Sequence, residues 1–215
     1  MGHISRHQCL IYEGSPSRQL PALVSVIQQK LKENNRCLYL NSPPMVAGLR
    51  SYLFAAGVDV PKEVMKGRLV LSSDNTHLAN GTFDVDRMLK MLSAAVIQAR
   101  DEGYQGLWAT GDMSWEFGSE KNLPKLLEYE WRLEELFHTL PTLAGICQYH
   151  RDTLPADIVR QGLVRHHSLF INDTLSRLNP HYVRGECFDT HHLDNIADLD
   201  STIDSLCNGH NQLLN

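Results

Sequence analysis

Short continuous runs of apolar residues alternate along the chain with longer segments whose apolar residues recur every three or four positions. A continuous run is typical of a strand that is buried on both faces, and a periodic segment is typical of a helix covering a sheet. The alternation therefore predicts an α/β fold with a mostly parallel central sheet flanked by helices. The predicted strands are 8–12, 36–41, 68–72, 106–110, 143–149 and 168–172.

The periodic segments predict the helices that flank this sheet. In segment 19–34 the apolar residues recur with helical spacing on one face, which we expect to dock on the sheet. Segment 84–102 shows the same pattern between Asp84, a residue suited to cap a helix, and Gly103, a residue suited to end one. Further helices are predicted at 45–56, in the segment LPKLLEYEWRLEELF and after Pro155.

The last thirty residues differ from the rest of the chain. A narrow apolar seam runs along a mostly acidic helix that the sequence predicts at 190–208. Such a seam suits a docked tail or a helix that pairs with a second copy. The seam residues are Leu193, Ile196, Leu199, Ile203 and Leu206. We therefore predict one α/β domain at 1–185 and a C-terminal helical tail at 186–215.

Composition excludes several classes of protein. The chain of 215 residues has 20 basic and 25 acidic residues, with no basic cluster, so we expect no direct contact with nucleic acid. No window approaches the roughly 20 apolar residues that cross a bilayer, so no membrane contact is expected. The five cysteines are scattered rather than densely spaced, which favours a reducing, cytoplasmic location.

The turn after the first predicted strand lies where a phosphate-binding loop would lie. It reads Gly14-Ser-Pro-Ser-Arg-Gln-Leu, with a single glycine, no lysine and a proline that removes a backbone donor. A phosphate loop needs backbone amides and a lysine to bind the phosphates, so ATP hydrolysis is disfavoured. Arg18 could meet an anion at the helix N-terminus, although a solvated surface arginine is the favoured interpretation.

Polar and aromatic residues follow the ends of the predicted strands. In an open parallel sheet, ligands bind beyond the carboxyl ends of the strands, so we expect these side chains to share one crevice. Their composition suits a small organic ligand held by stacking and a few hydrogen bonds. The residues include Tyr12, Asp112, Trp115, Glu116, Gln148, Tyr149 and His150.

Glu130 lies within the apolar stripe of the predicted helix that carries Leu126 and Leu133. A buried carboxylate must be paired, hydrogen-bonded or protonated, because removing its charge from water is costly. One interpretation is a functional acid whose pKa is perturbed. The other is a residue at the edge of the stripe that reaches water.

Two histidine and cysteine pairs resemble a zinc ligand set. They are His7 with Cys9 and Cys147 with His150, but the last two fall on opposite faces of an extended strand. We therefore predict no metal site and no nucleophilic dyad. The pairs His166-His167 and His191-His192 are predicted to be surface or cap residues.

Seven motifs occur along the chain in the order RHQCLIY, RCLYLN, GRLVLSS, GTFDVDRM, GYQGLWATGDMSWEF, LLEYEWRLEEL and ICQYHRD. In this order they resemble the MEDS domain, the methanogen/methylotroph, DcmR-type sensory domain, over about residues 3–185. The resemblance implies a RecA/KaiC-like fold that has lost its phosphate loop and a module that senses small organic compounds. The ligand-binding residues that it implies are His7, Cys9, Tyr12, Asp112, Trp115, Glu130, Cys147, Gln148 and Tyr149.

Two positions depart from the pattern that the resemblance implies. Asp112 stands where relatives commonly have Glu, and His150 stands where an acidic residue is usual. We expect a cytoplasmic sensor that requires no cofactor, binds a small organic ligand and signals through 190–208 to a partner or a second copy. The other hypotheses are a nucleotide- or metal-dependent hydrolase using Asp112 and Glu130, and an interaction scaffold without a ligand.

Overall fold

A seven-stranded sheet organises the part of the chain that the computed structural model describes, which is residues 6–116, 123–171, 177–179, 181–182 and 198–208. The strands are β1 (His7–Tyr12), β2 (Arg36–Leu40), β3 (Leu69–Ser72), β4 (Leu78–Ala79), β5 (Thr82–Phe83), β6 (Leu107–Asp112), β7 (Leu143–His150), β8 (Ser168–Ile171) and β9 (Arg177–Leu178). The order in the sheet is β3-β2-β6-β7-β1-β8-β9, while β4 and β5 form a separate hairpin. Six strands are parallel, and only the edge strand β9 is antiparallel to its neighbour.

Helices cover both faces of this sheet. They are α1 (Leu20–Lys32), α2 (Pro43–Ala55), α3 (Val60–Met65), α4 (Val85–Asp101), α5 (Met113–Glu116), α6 (Leu123–Thr139), α7 (Ala156–Arg165) and α8 (Leu199–Asn208). Each of α1, α2 and α3 begins with a proline in its first turn, where the missing N–H costs no helical hydrogen bond. Asp84 caps α4 by accepting a hydrogen bond from the backbone N–H of Arg87.

The predicted α/β fold with a mostly parallel sheet is confirmed, and the strands begin and end within two residues of their predicted bounds. Residue 172, the last of the sixth predicted strand, lies outside the described residues. The helix α3, the β4–β5 hairpin and the strand β9 were not predicted. Each is six residues long or shorter, too short for an apolar period to be read.

The two faces of the sheet carry separate apolar cores. One core contains Leu10 of β1 and packs under α1 and α2, whereas the other contains Cys9 and Ile11 and packs under α4, α6 and α7. We call these the α1 face and the α6 face. Successive side chains of a strand point to opposite faces, so the position of a residue along its strand decides which core it joins.

The tail helix α8 packs on the α6 face. Leu199 and Ile203, two residues of the predicted seam, are buried in that core. The carboxylate of Asp198 accepts the backbone N–H of Ser201 and so caps the helix. The predicted residues 190–197 of this helix lie outside the described residues. The described part of the seam thus covers the domain's own core.

Among the described residues, no helix combines the length and the apolar character that crossing a bilayer requires.

We predict that Gly145→Ala, in the middle of β7, destabilises the fold by about 1–3 kcal/mol. A β-carbon at this position would lie 2.3 Å from the carbonyl oxygen of Ala109 on the paired strand β6. Urea unfolding would measure the change. Gly48→Ala in α2 is the matched control, because its nearest neighbour is a leucine side-chain carbon at 3.2 Å and a helix favours alanine. Equal effects of the two substitutions would contradict the prediction.

Candidate functional site

The loop between β1 and α1 is held by the chain's own side chains. Gly14 has a φ of 79°, a conformation that glycine adopts without strain, and its N–H donates to the carboxylate of Asp152 at 2.6 Å. Nε2 of His150 donates to the carbonyl oxygen of Gly14 at 3.0 Å. Arg18 is exposed, as the sequence predicted. A carboxylate of the protein thus takes an amide that a phosphate loop would offer to phosphate.

A buried polar network lies next to this loop, on the α1 face at the carboxyl ends of β1, β6 and β7. We call it the strand-end cluster. Its members are Tyr12, Gln19, Thr110, Asp112 and Gln148, and each is at most 3% exposed. The Tyr12 hydroxyl donates to Asp112, whose other carboxylate oxygen accepts the backbone N–H of Ser114.

The hydrogen bonds of the strand-end cluster run in one direction. Thr110 donates to the carbonyl oxygen of Ile146 at 2.6 Å, so its oxygen accepts the Gln148 amide N–H at 2.9 Å. The Gln148 carbonyl oxygen then accepts the amide N–H of Gln19 at 3.2 Å. This direction leaves the amide oxygen of Gln19 buried and without a hydrogen-bond partner among the described residues.

Tyr12 also anchors the aromatic side of the strand-end cluster. Burial, followed by the charge of Asp112, raises the pKa of Tyr12 far above its ordinary value, so its hydroxyl stays protonated and donates. The ring of His150 stacks on the ring of Tyr12 with centroids 4.7 Å apart. His150, which departs from the pattern that the resemblance implies, therefore packs against Tyr12 and binds the loop.

A second polar group lies on the other face of the sheet, between β1, β7, α6 and the turn from α7 to β8. We call it the histidine–glutamate cluster. Its members are His7, Glu130, Cys147, Tyr149 and His166, and all are buried. Nε2 of His7 lies 3.0 Å from Nε2 of His166, 3.4 Å from Sγ of Cys147 and 3.7 Å from Oε2 of Glu130.

Outer contacts orient both imidazole rings. Nδ1 of His7 lies 2.7 Å from a carboxylate oxygen of Glu134, and Nδ1 of His166 lies 2.7 Å from the carbonyl oxygen of Gly162. Since both partners are acceptors, the Nδ1 atoms carry the protons in the neutral rings. The ring of Phe137 stacks on that of His7 at 4.4 Å.

Burial shifts the pKa values of several groups in the histidine–glutamate cluster. Burial raises the pKa of Glu130 and lowers the pKa of His166 well below its ordinary value. Tyr149 donates its hydroxyl to Oε1 of Glu130, and burial together with the charge of Glu130 raises the pKa of that hydroxyl. Oε2 of Glu130 accepts no hydrogen bond from the described residues. Glu130 is thus a buried acid, and the interpretation that it reaches water is wrong.

We expected the ligand-binding residues implied by the resemblance to line a single crevice, but the structure divides them between the two faces of the sheet. Tyr12, Asp112 and Gln148 belong to the strand-end cluster, while His7, Glu130, Cys147 and Tyr149 belong to the histidine–glutamate cluster. Cys9 is buried in the core of the α6 face, and burial raises the pKa of its thiol. The ring of Trp115 packs against the ring of His77, with the two ring centroids 4.9 Å apart. The physical reason is the alternation of side chains along each strand, which separates Cys147 and Tyr149 from Gln148.

Some members of the two clusters were missed or misplaced from sequence. His166 was predicted at the surface, but its side chain is fully buried. It lies in the turn between α7 and β8, where no periodic pattern marks a buried position. Glu134 had a signal, because it follows Glu130 by one helical turn on α6. His191 and His192 lie outside the described residues.

The fold is similar to several solved structures of archaeal proteins. An uncharacterized protein from Pyrococcus horikoshii, crystallised with an unknown peptide, matches with a TM-score of 0.56 and 17% identity over 76% of each chain. The flagellar accessory protein FlaH from Methanocaldococcus jannaschii matches with a TM-score of 0.51 and 15% identity. The match covers 76% of this chain and 70% of the FlaH chain. A KaiC-like protein from Pyrococcus horikoshii OT3 matches with a TM-score of 0.51 and 12% identity. The match covers 77% of this chain and 70% of the KaiC-like chain. The chain therefore has a RecA/KaiC-like α/β fold.

Residues 6–167 match the MEDS family, described as the methanogen/methylotroph, DcmR sensory domain. The chain belongs to this family, which indicates a sensory or signal-input role. Comparison with proteins of curated function gave no match.

We predict that Tyr12→Phe lowers the free energy of unfolding by about 1–3 kcal/mol, because it leaves a buried oxygen of Asp112 without its donor. Urea unfolding would measure the loss. Tyr52→Phe is the control, since the Tyr52 side chain is exposed and should change stability by less than about 0.5 kcal/mol. A loss no larger for Tyr12→Phe than for the control would refute the prediction.

Proposed function

We propose that this domain senses a small organic ligand in the strand-end cluster and passes the signal to helix α8. The observation that carries the proposal is the buried amide oxygen of Gln19, which has no hydrogen-bond partner among the described residues. A buried acceptor without a donor costs roughly 1–3 kcal/mol, so a ligand that donates a hydrogen bond there recovers this energy. Small alcohols and amines have the required donor.

The surroundings of Gln19 favour a neutral or cationic ligand over a phosphate. The carboxylate of Asp112 lies in the same cluster, and Asp152 already accepts the N–H of Gly14. The loop contains no lysine to offset the charge of a phosphate, and the side chain of its Arg18 is exposed rather than directed into the cluster. Aromatic area is supplied by Tyr12, against which His150 stacks.

Ligand entry requires a change in the loop at 13–19. Tyr12, Gln19 and Gln148 are almost completely buried, so a bound molecule must displace the loop or be enclosed when the loop folds over it. A ligand shifts such an equilibrium only by the difference in its affinity for the two states. Loop displacement is therefore the conformational change through which this sensor would signal.

Arg151 connects the loop to the tail helix. Its backbone N–H donates to the carbonyl oxygen of Tyr12 at 2.9 Å, and its guanidinium binds Glu13 at 2.9 Å and also Asp200 of α8. A movement of the loop would thus change an ion pair at the start of α8. Leu199, next to Asp200 in the same helix, is buried in the core. The helix α8 therefore joins the loop contact to the core, and we propose it as the element that transmits the signal.

The hydrolase hypothesis loses its structural basis, because its two acids lie in different clusters. Asp112 is bound to Tyr12 on the α1 face, and Glu130 is bound to Tyr149 on the α6 face. A pair of acids must flank one bond to act on it together. The remaining alternative to a sensor is an interaction scaffold that binds no ligand, and a thermal-shift screen distinguishes the two.

We predict that a compound from a panel of short-chain alcohols and amines raises the melting temperature, while ATP with Mg²⁺ does not. At a hundredfold excess over the dissociation constant the stabilisation is about 2.7 kcal/mol. Gln19→Leu removes the acceptor and should abolish the shift. Gln98→Leu on the exposed surface of α4 is the matched control and should retain it.

Each other outcome of this thermal-shift screen counts against the proposal. A response to none of the compounds would support the scaffold, and a response to ATP with Mg²⁺ alone would support a nucleotide-binding protein. An organic compound that stabilises the wild type and Gln19→Leu equally would move the ligand away from the strand-end cluster.

We predict that Arg151→Ala loosens α8 with little effect on global stability. Partly exposed ion pairs contribute about 0–1 kcal/mol, so the fold should persist while amide exchange within 199–208 becomes faster. Hydrogen–deuterium exchange with mass spectrometry would measure this. Arg132→Ala, which removes the ion pairs with Asp86 and Glu128, is the control and should leave exchange in α8 unchanged. Unchanged exchange in both variants would exclude Arg151 as the link.

A further inference from the structure

Four potential metal-ligand atoms converge within the histidine–glutamate cluster. They are Nε2 of His7, Oε2 of Glu130, Sγ of Cys147 and Nε2 of His166, and all lie within 4.8 Å of one another. The residues come from α6, β1, β7 and the turn before β8, so only the folded chain brings them together. Such convergence of two imidazoles, a thiol and a carboxylate is the ligand chemistry of a transition-metal site.

We propose that these four residues form a binding site for one Zn²⁺ ion. Zinc bonds of the usual lengths, arranged as a tetrahedron, place neighbouring ligand atoms roughly 3.3–3.6 Å apart. The distances from Nε2 of His7 to its three companions are 3.0, 3.4 and 3.7 Å, and Nε2 of His166 lies 3.5 Å from Oε2 of Glu130. These four distances are close to those of a tetrahedral site, and all four ligand atoms lie within 4.8 Å of one another.

The outer contacts point the lone pairs of both rings into this site. His7 gives its Nδ1 proton to Glu134, and His166 gives its Nδ1 proton to the carbonyl oxygen of Gly162. In the neutral rings the two Nε2 atoms are therefore acceptors that face each other at 3.0 Å. A carboxylate or a carbonyl behind a ligating histidine is the usual arrangement in protein metal sites.

Glu130 supplies the independent observation that a cation belongs here. Its Oε2 is buried among these atoms and accepts no hydrogen bond from the described residues, while its Oε1 accepts the hydroxyl of Tyr149. Tyr149 thus orients the carboxylate so that the other oxygen faces the two Nε2 atoms. An ion at the centre of the cluster would give this oxygen the partner that the described residues do not supply, and both Nε2 atoms lie close enough to bind the same ion.

The ligand set selects zinc over the hard cations. Mg²⁺ and Ca²⁺ take oxygen ligands, whereas a thiolate and two imidazoles favour Zn²⁺. A thiolate from Cys147 and a carboxylate from Glu130 would together balance the two charges of the ion. Because four protein ligands complete the tetrahedron and all four are buried, the site is closed and structural rather than catalytic.

The sequence prediction of no metal site considered a different group of residues. That group joined His7 and Cys9 to Cys147 and His150, and His150 does lie on the face of the sheet opposite to Cys147, stacked on Tyr12. The partners that complete the set are Glu130 and His166, which no sequence spacing connects to His7 and Cys147. The rival explanation without a metal is a proton shared between the two imidazoles and Glu130.

Metal analysis of the purified full chain tests the proposal directly. We expect zinc at one equivalent per chain and, after treatment with a chelator, a melting temperature that rises again with Zn²⁺ but not with Mg²⁺. Replacement of zinc by Co²⁺ should give the visible bands of a tetrahedral ion and a near-ultraviolet thiolate band. Cys147→Ser should lose the thiolate band and weaken Zn²⁺ binding by roughly 100-fold or more.

Three further variants separate metal binding from a general loss of folding. Cys37→Ser is the matched control, because Cys37 is also buried but lies on the α1 face, and it should keep the cobalt spectrum. Glu130→Gln retains an acceptor for Tyr149 and removes the charge, so it should weaken binding. Glu134→Ala, at a partly exposed position behind His7, should weaken binding by about 10–100-fold while the domain stays folded.

Two results would overturn the proposal. One is a purified chain that contains no zinc and shows no change in melting temperature or spectrum with Zn²⁺ or Co²⁺, which would favour the shared proton. The other is stoichiometric binding that survives Cys147→Ser and Glu130→Gln, which would place the metal elsewhere. Neither result bears on the strand-end cluster, whose test uses organic compounds and Gln19→Leu.

Discussion

The alternation of side chains along the strand β7 governs the arrangement of polar residues in this domain. β7 lies inside the sheet between β6 and β1, and helices cover both faces, so its side chains point alternately to the α1 face and the α6 face. Cys147 and Tyr149 point to the α6 face, whereas Gln148 points to the α1 face. Three consecutive residues therefore serve two clusters that share no side chain.

Burial sets the chemistry of both clusters. A polar atom that has left water must find a partner, and most atoms in the two networks do so through hydrogen bonds to strands, helices or the loop. Two atoms of these networks that find no hydrogen-bond partner within the described part of the chain are the amide oxygen of Gln19 and Oε2 of Glu130. These atoms lie on opposite faces of the sheet. The proposed partner is a donor group from a small molecule for the first atom and a cation for the second.

Much of the fold and part of the site were predictable from sequence. The six parallel strands and the helices α1, α2, α4, α6 and α7 follow from apolar runs and apolar periods, which act over ten to twenty residues. The buried position of Glu130 was also visible as an acid inside an apolar stripe. The inward orientation of His166 was not, because a turn has no period and its direction depends on how α7 packs against β8.

The sequence by itself determined the fold class, the loss of the phosphate-binding loop and the family, because each depends on residue types and their order along the chain. Only the tertiary structure decided which of the candidate residues meet. His7 and Cys147 are separated by 140 positions, and their approach to 3.4 Å depends on the register between β1 and β7. The apolar pattern of each strand allows only registers that keep the same side chains buried, but it does not choose which distant strand is the partner. That choice depends on the packing of the whole sheet between its helices.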